Sequence, residues 1–137
     1  PPPPPGPPEI YLVQSGGTYD FTLPGRDQEK CISAKIGATT VGVVTRINQL
    51  QTGNPEIIQQ LHKVRTGGKD SDKDLFEAEA ALHQQYKDFG GPKAGKALRK
   101  KLGLAPGATE WFVFPVKMVH KIKSQMNNWG VEDAGGS

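Results

Sequence analysis

Residues 71–92, SDKDLFEAEAALHQQYKDFGGP, read as one amphipathic helix. Ser71 offers a hydroxyl to the orphan amides of a first turn, and Gly90-Gly91-Pro92 stops the helix after Phe89. Leu75, Glu79, Leu82, Tyr86 and Phe89 recur at spacings of four, three, four and three, so all five point one way. Runs of a different kind lie on either side. Glu56–Val64 (EIIQQLHKV) sits between Pro55 and Gly67-Gly68, and Glu110–Phe114 (EWFVF) is aromatic and β-branched, so both read as strands. A helix set between strands makes this an α/β (α+β) chain rather than a helical bundle.

The reading extends in both directions. Towards the N-terminus, Glu9–Gln14 (EIYLVQ) is a first strand closed by Ser15-Gly16-Gly17, and Thr18–Leu23 pairs back as part of a hairpin before the turn Pro24-Gly25-Arg26-Asp27. Cys31–Ala38 (CISAKIGA) is the next strand, and Thr39 or Thr40 caps a helix over Val41–Gln51 that Thr52-Gly53-Asn54-Pro55 ends. Towards the C-terminus, Lys93–Leu104 is a short basic helix, and Pro115 opens a last helix to Asn128 with Val119, Ile122, Met126 and Trp129 on its buried stripe. The expected fold is a small mixed or antiparallel sheet of about three to four strands flanked by helices. Residues 1–8, PPPPPGPP, form an extended polyproline arm that could strap onto a protein partner, residues 9–130 one domain with a basic insert at 91–107, and residues 131–137 a loose tail.

A length of 137 residues suits one core, and no stretch approaches the about eighteen apolar residues of a membrane helix. A chain that opens on Pro1 is expected to be a processed product or a piece of something longer. One cysteine, Cys31, excludes an internal disulfide and a cysteine-based zinc site, and is what a reducing intracellular compartment would give. A net charge of +3 permits a phosphate-bearing partner.

The carboxylate of Glu79 interrupts an otherwise apolar face. An ionised carboxylate buried without a partner costs several kcal/mol, so Glu79 should meet a cation, an arginine or a metal, or else reach the edge of the stripe. Arg46 lies beside Val43, Ile47 and Leu50 on the earlier helix, where it can grip a phosphate through paired hydrogen bonds or pair with Glu79. His83, one turn after Glu79, either orients Glu79 or a water, or is hydrogen-bonded in place. Lys93, Lys96, Arg99, Lys100 and Lys101 make the one dense basic cluster, either a solvated face or a phosphate-binding one. His62 and His120 lack metal-ligand spacing, so zinc is not expected, and P-loop and dinucleotide motifs are absent.

In this order, Glu9-Ile10-Tyr11, Lys35-Ile36-Gly37, Arg46 in TRINQLQTGNP, Glu79 in EAALHQQY and Glu110-Trp111-Phe112 resemble the GIY-YIG endonuclease superfamily, most closely its meiotically up-regulated gene 113 type branch. The resemblance implies metal-assisted hydrolysis of DNA phosphodiesters. Tyr11, Arg46 and Glu79 would surround the scissile phosphate, and Glu79 would hold one Mg²⁺ or Mn²⁺. Lys35 and the cluster Lys93, Lys96, Arg99 and Lys100 would lie against DNA. Two positions depart from the family pattern: Glu9 replaces a glycine, and Ala34 replaces the tyrosine of Y-K-I-G. Tyr11 would then act alone, Lys35 substitute in part, Tyr19 swing in, or hydrolysis be lost. In the last case the domain would be a structural or interaction module in a larger, for instance viral, assembly held by its proline arm.

Overall fold

A computed structural model describes residues 6–131. Its elements run β1 (Glu9–Thr22), β2 (Gln28–Thr39), α1 (Val43–Gln51), β3 (Ile58–Arg65), α2 (Leu75–Gln85), α3 (Lys96–Lys101), β4 (Trp111–Pro115) and α4 (Val119–Asn127), with single 3₁₀ turns at Lys87–Phe89 and Val116–Met118. The four strands form one antiparallel sheet in the order β3-β1-β2-β4.

The long β1–β2 hairpin is the spine of the sheet. Gly25, at φ 72°, makes the tight turn that Pro24 begins, and Arg26 N–H donates to the Leu23 carbonyl at 3.1 Å. Ser15-Gly16-Gly17 does not end the first strand, as the sequence suggested. The strand runs on, and its register against β2 shifts between Ser15 and Tyr19. Gly16, at φ 71°, lets the chain bulge there without breaking the pairing.

Alternation along the strands sorts side chains onto two faces. Ile10, Leu12, Ala34, Ile36, Phe112 and Phe114 meet Leu75, Ala78, Leu82 and Tyr86 of the α2 segment and Ile122 and Met126 of α4. On the other face Tyr11 and Val13 meet Val43 of α1 and Ile58, with Ile47, Leu50 and Trp111 packed against them. The stripes expected on α2 and α4 are therefore the faces that pack, and Cys31 is a buried core thiol.

Three helix starts differ from the sequence reading. Asp74, not Ser71, caps α2, accepting from Phe76 N–H at 3.0 Å and Glu77 N–H at 3.2 Å, while Ser71 Oγ accepts from Lys73 N–H one turn earlier. Helix α1 begins after Gly42, and its Val43 N–H is received at 3.3 Å by the Glu9 carboxylate reaching over from β1, an anion at a helix N-terminus. Pro115 closes β4 instead of opening α4. Of the arm, Gly6 N–H donates to the Thr40 carbonyl at 2.6 Å, and Thr66 N–H to the Pro8 carbonyl at 2.9 Å. Residues 1–5 of the arm and 132–137 of the tail lie outside the described residues. Among the described residues no helix is long and apolar enough to cross a membrane.

Candidate functional site

Strand β4 covers only half of β2. Their pairing runs from Cys31 to Lys35 and stops at Lys35 opposite Trp111. Beyond that point Ile36 and Ala38 turn their backbone groups to an edge with no strand, and these groups need partners. Helix α2 supplies them from side chains one turn apart. His83 Nε2 lies 2.7 Å from the Ile36 carbonyl, and the Glu79 carboxylate accepts from the Ala38 N–H. A carbonyl only accepts, so His83 carries a proton on Nε2. The imidazole is buried, with its ring centroid 5.8 Å from that of Phe112. Of the two sequence readings for His83, hydrogen-bonded in place is the one the structure displays.

Tyr11 lies across the hairpin over its register partner, Gly37. A Cβ at position 37 would fall inside the phenol ring, so a glycine there is a steric requirement. The ring is fully buried, and Arg46 Nε donates to its hydroxyl at 3.4 Å while Arg46 Nη1 donates to Gln49 Oε1 at 3.2 Å. Arg46 is brought there because it lies one turn past Val43, on the side of α1 that Ile47 and Leu50 press onto the sheet. Lys35, two residues before Gly37, shares this face, and its Nζ donates to Glu110 Oε2 at 2.5 Å. Glu110 immediately precedes β4, at the place where β4's cover of β2 ends.

These groups sense one another. Burial pushes the Glu79 carboxyl above the ordinary glutamate range; the negative charge of Glu110 adds to the rise, and His83, Lys35 and the Ala38 N–H oppose it. The hydrogen bond from Lys35 holds Glu110 below that range, helped by the charges of Arg46 and His83. Of the alternatives open for Glu79, the pair with Arg46 does not form: among the described residues no cation stands within ion-pair distance of Glu79. Glu79 instead reaches the edge of its stripe, half-buried.

No group of three or more His, Cys, Asp or Glu side chains that could hold a metal occurs among the described residues. Magnesium asks for less, since it commonly keeps several waters and takes one or two protein carboxylates. A desolvated carboxylate with no cation beside it fits that role, and among the described residues Glu79 is such a group.

Ala34 belongs elsewhere. It is a fully buried residue of the α2–α4 face, paired with Phe112, and so stands on the opposite side of the sheet from Tyr11. The residue of β2 that accompanies Tyr11 is Lys35. Tyr19 is engaged with the Ser33 hydroxyl at 3.1 Å. Lys93, Lys96 and Lys100 are exposed and Arg99 half-buried on and just before α3, whose Leu98 and Leu102 seat it against Leu23, Cys31 and Val113; none of the four cations forms an ion pair among the described residues. The residue whose role the sequence did not disclose is Glu110, because its partner is 75 positions away.

A family model described as the T5orf172 domain matches residues 16–127. The chain belongs to the T5orf172 domain family. That finding overturns the resemblance to the GIY-YIG superfamily and to its meiotically up-regulated gene 113 type branch, for T5orf172 is a different family and no GIY-YIG model matches. The resemblance rested on the order of five short segments, from Glu9-Ile10-Tyr11 to Glu110-Trp111-Phe112, each of them weak by itself. No curated protein and no solved structure matches. The T5orf172 match takes in Lys35, Arg46, Glu79, His83 and Glu110 and leaves Tyr11 outside it.

Proposed function

We propose that this T5orf172 domain is a divalent-metal-dependent DNA endonuclease that hydrolyses phosphodiester bonds. The observation that carries the reading is the desolvated Glu79 carboxylate, without a counter-cation among the described residues, at the open edge of β2 beside the face that presents Tyr11, Arg46 and Lys35. Glu79 is the residue that would hold Mg²⁺ or Mn²⁺, and the ion when bound supplies charge neutralisation and water activation. Arg46 is placed to balance negative charge on a phosphate. Because the Tyr11 oxygen accepts from Arg46, its own O–H is left to orient a water or a phosphate oxygen. The exposed Lys93, Lys96 and Lys100, with the half-buried Arg99, offer a surface for the DNA backbone.

The competing expectation, an inactive structural module, drew on Glu9, Ala34 and the arm. Glu9 caps α1 and Ala34 fills the core behind the sheet, so neither removes a group from this site. Gly6 and Pro8 bond to this chain's own Thr40 and Thr66. The test is nicking of supercoiled plasmid with Mg²⁺ or Mn²⁺. Glu79→Gln and Arg46→Ala should each lower the rate by about a hundredfold or more. Undiminished cutting by Glu79→Gln would overturn the reading.

A further inference from the structure

Glu110 has no part in the chemistry just proposed, yet it neutralises the most enclosed cation of the site. The Lys35 side chain is 5% exposed and that of Glu110 is 52%. The ammonium is therefore fixed within the sheet face, while the carboxylate reaches it from the solvent side. Glu110 lies ahead of β4, so its side chain can swing away without breaking a strand pairing. Its charge also feels Arg46, and it disfavours ionisation of Glu79. An oxyanion already occupies the place where Lys35 would draw a phosphate oxygen.

We infer that Glu110 is an internal counter-ion that stands in for a substrate phosphate, holding Lys35 in the free protein and yielding it to a phosphodiester oxygen on binding. The inference rests on the phosphodiester reading of the same site. A buried ammonium needs an anion, and Glu110 provides one until the substrate does. Being half in water, the carboxylate loses little when it leaves, whereas Lys35 stays where it is.

The test measures binding of a short labelled DNA duplex by fluorescence anisotropy in EDTA, for the parent chain, Glu110→Gln, Lys35→Gln and the double variant. Glu110→Gln should bind about fivefold tighter, the factor expected when a competing, half-exposed ion pair is removed. That gain should vanish when Lys35 is also changed. Unchanged or weaker binding by Glu110→Gln overturns the inference, because Glu110 would then orient Lys35 rather than compete for it. A second readout follows the Lys35 side-chain ammonium by NMR during titration with inorganic phosphate. If no variant binds duplex but phosphate shifts that signal more readily in Glu110→Gln, the endonuclease reading fails and the counter-ion stands. If duplex is bound and cut while Lys35 stays silent in both chains, the reverse holds. Should Glu110→Gln melt too low to use, Glu110→Asp loosens the same contact by one methylene and must move binding in the same direction.

Discussion

Adjacent residues of β1 and β2 live under different rules on the two faces of the sheet. Ile10, Leu12, Ala34 and Ile36 face α2 and α4 and are sealed in hydrocarbon. Tyr11, Lys35 and Gly37, interleaved with them, face the α1 side and carry a phenol, an ammonium and the gap that the phenol needs. The difference teaches that position parity, rather than nearness in sequence, decides what a substitution here does. Ala34 and Lys35 are neighbours in the chain, yet they belong to different parts of the molecule.

The largest effect on stability is expected at Ala34. A tyrosine there must enter a space already filled by Phe112 and Phe114, so Ala34→Tyr should cost about 3 kcal/mol or more and lower the melting temperature by roughly 10 °C. Lys35→Met, one residue on, keeps most of the volume and removes a buried charge, so it should cost about 1 kcal/mol or less. Equal losses from the two changes in thermal denaturation would break the distinction between the faces. Gly37→Ala comes next, at about 2 kcal/mol, because the new methyl collides with the Tyr11 ring. In a Tyr11→Ala background most of that cost should disappear. A double-mutant cycle with no coupling would show that Tyr11 does not lie over position 37 in solution.

Where the faces meet, at the β2 edge, the expected sign reverses. The folded-state pKa of Glu79 is raised, chiefly by burial, so the folded protein binds its proton more readily than the unfolded chain. The stability this group contributes is present at low pH and is lost as pH rises through the folded value. Glu79→Gln removes the charge and keeps an oxygen for the Ala38 N–H, so it should raise the melting temperature at pH 8 by about 2 °C while slowing cutting by about a hundredfold or more. The gain should shrink as pH falls into the glutamate range. A variant that melts lower at pH 8 would mean that Glu79 is held by a cation in solution.

Much of this was legible in the sequence where the signal is local. The spacing of Leu75, Leu82 and Tyr86 named the packed face of α2, and a carboxylate interrupting that face marked Glu79. Alternation and turn chemistry found the strands. Other features share one local signal between two outcomes. Gly16-Gly17 serves a bulge as well as a turn, and Ser71 and Asp74 are both good caps. The Lys35–Glu110 contact could not be read at all, because it depends on which strand lies beside β2 and where that strand stops. The ordered short segments misled in the same way: Lys35-Ile36-Gly37 reports a strand over which the Tyr11 ring crosses, and such local constraints do not by themselves carry a family.

The smallest expected effect on stability, and the one that separates two kinds of cation, concerns α3. Lys35 is enclosed and already paired, so its contribution to binding should be local and weakly screened. Lys96, Arg99 and Lys100 sit on a six-residue helix seated by Leu98 and Leu102, without ion pairs among the described residues, so they can add charge to a DNA encounter without holding the fold. Changing all three to glutamine should move the melting temperature by less than about 2 °C. The slope of log binding constant against log salt for a DNA duplex should fall by about two to three, one phosphate contact for each cation removed. Lys35→Gln alone should lower affinity yet change that slope by about one or less. If the triple change leaves the slope where it was, α3 is a solvated face.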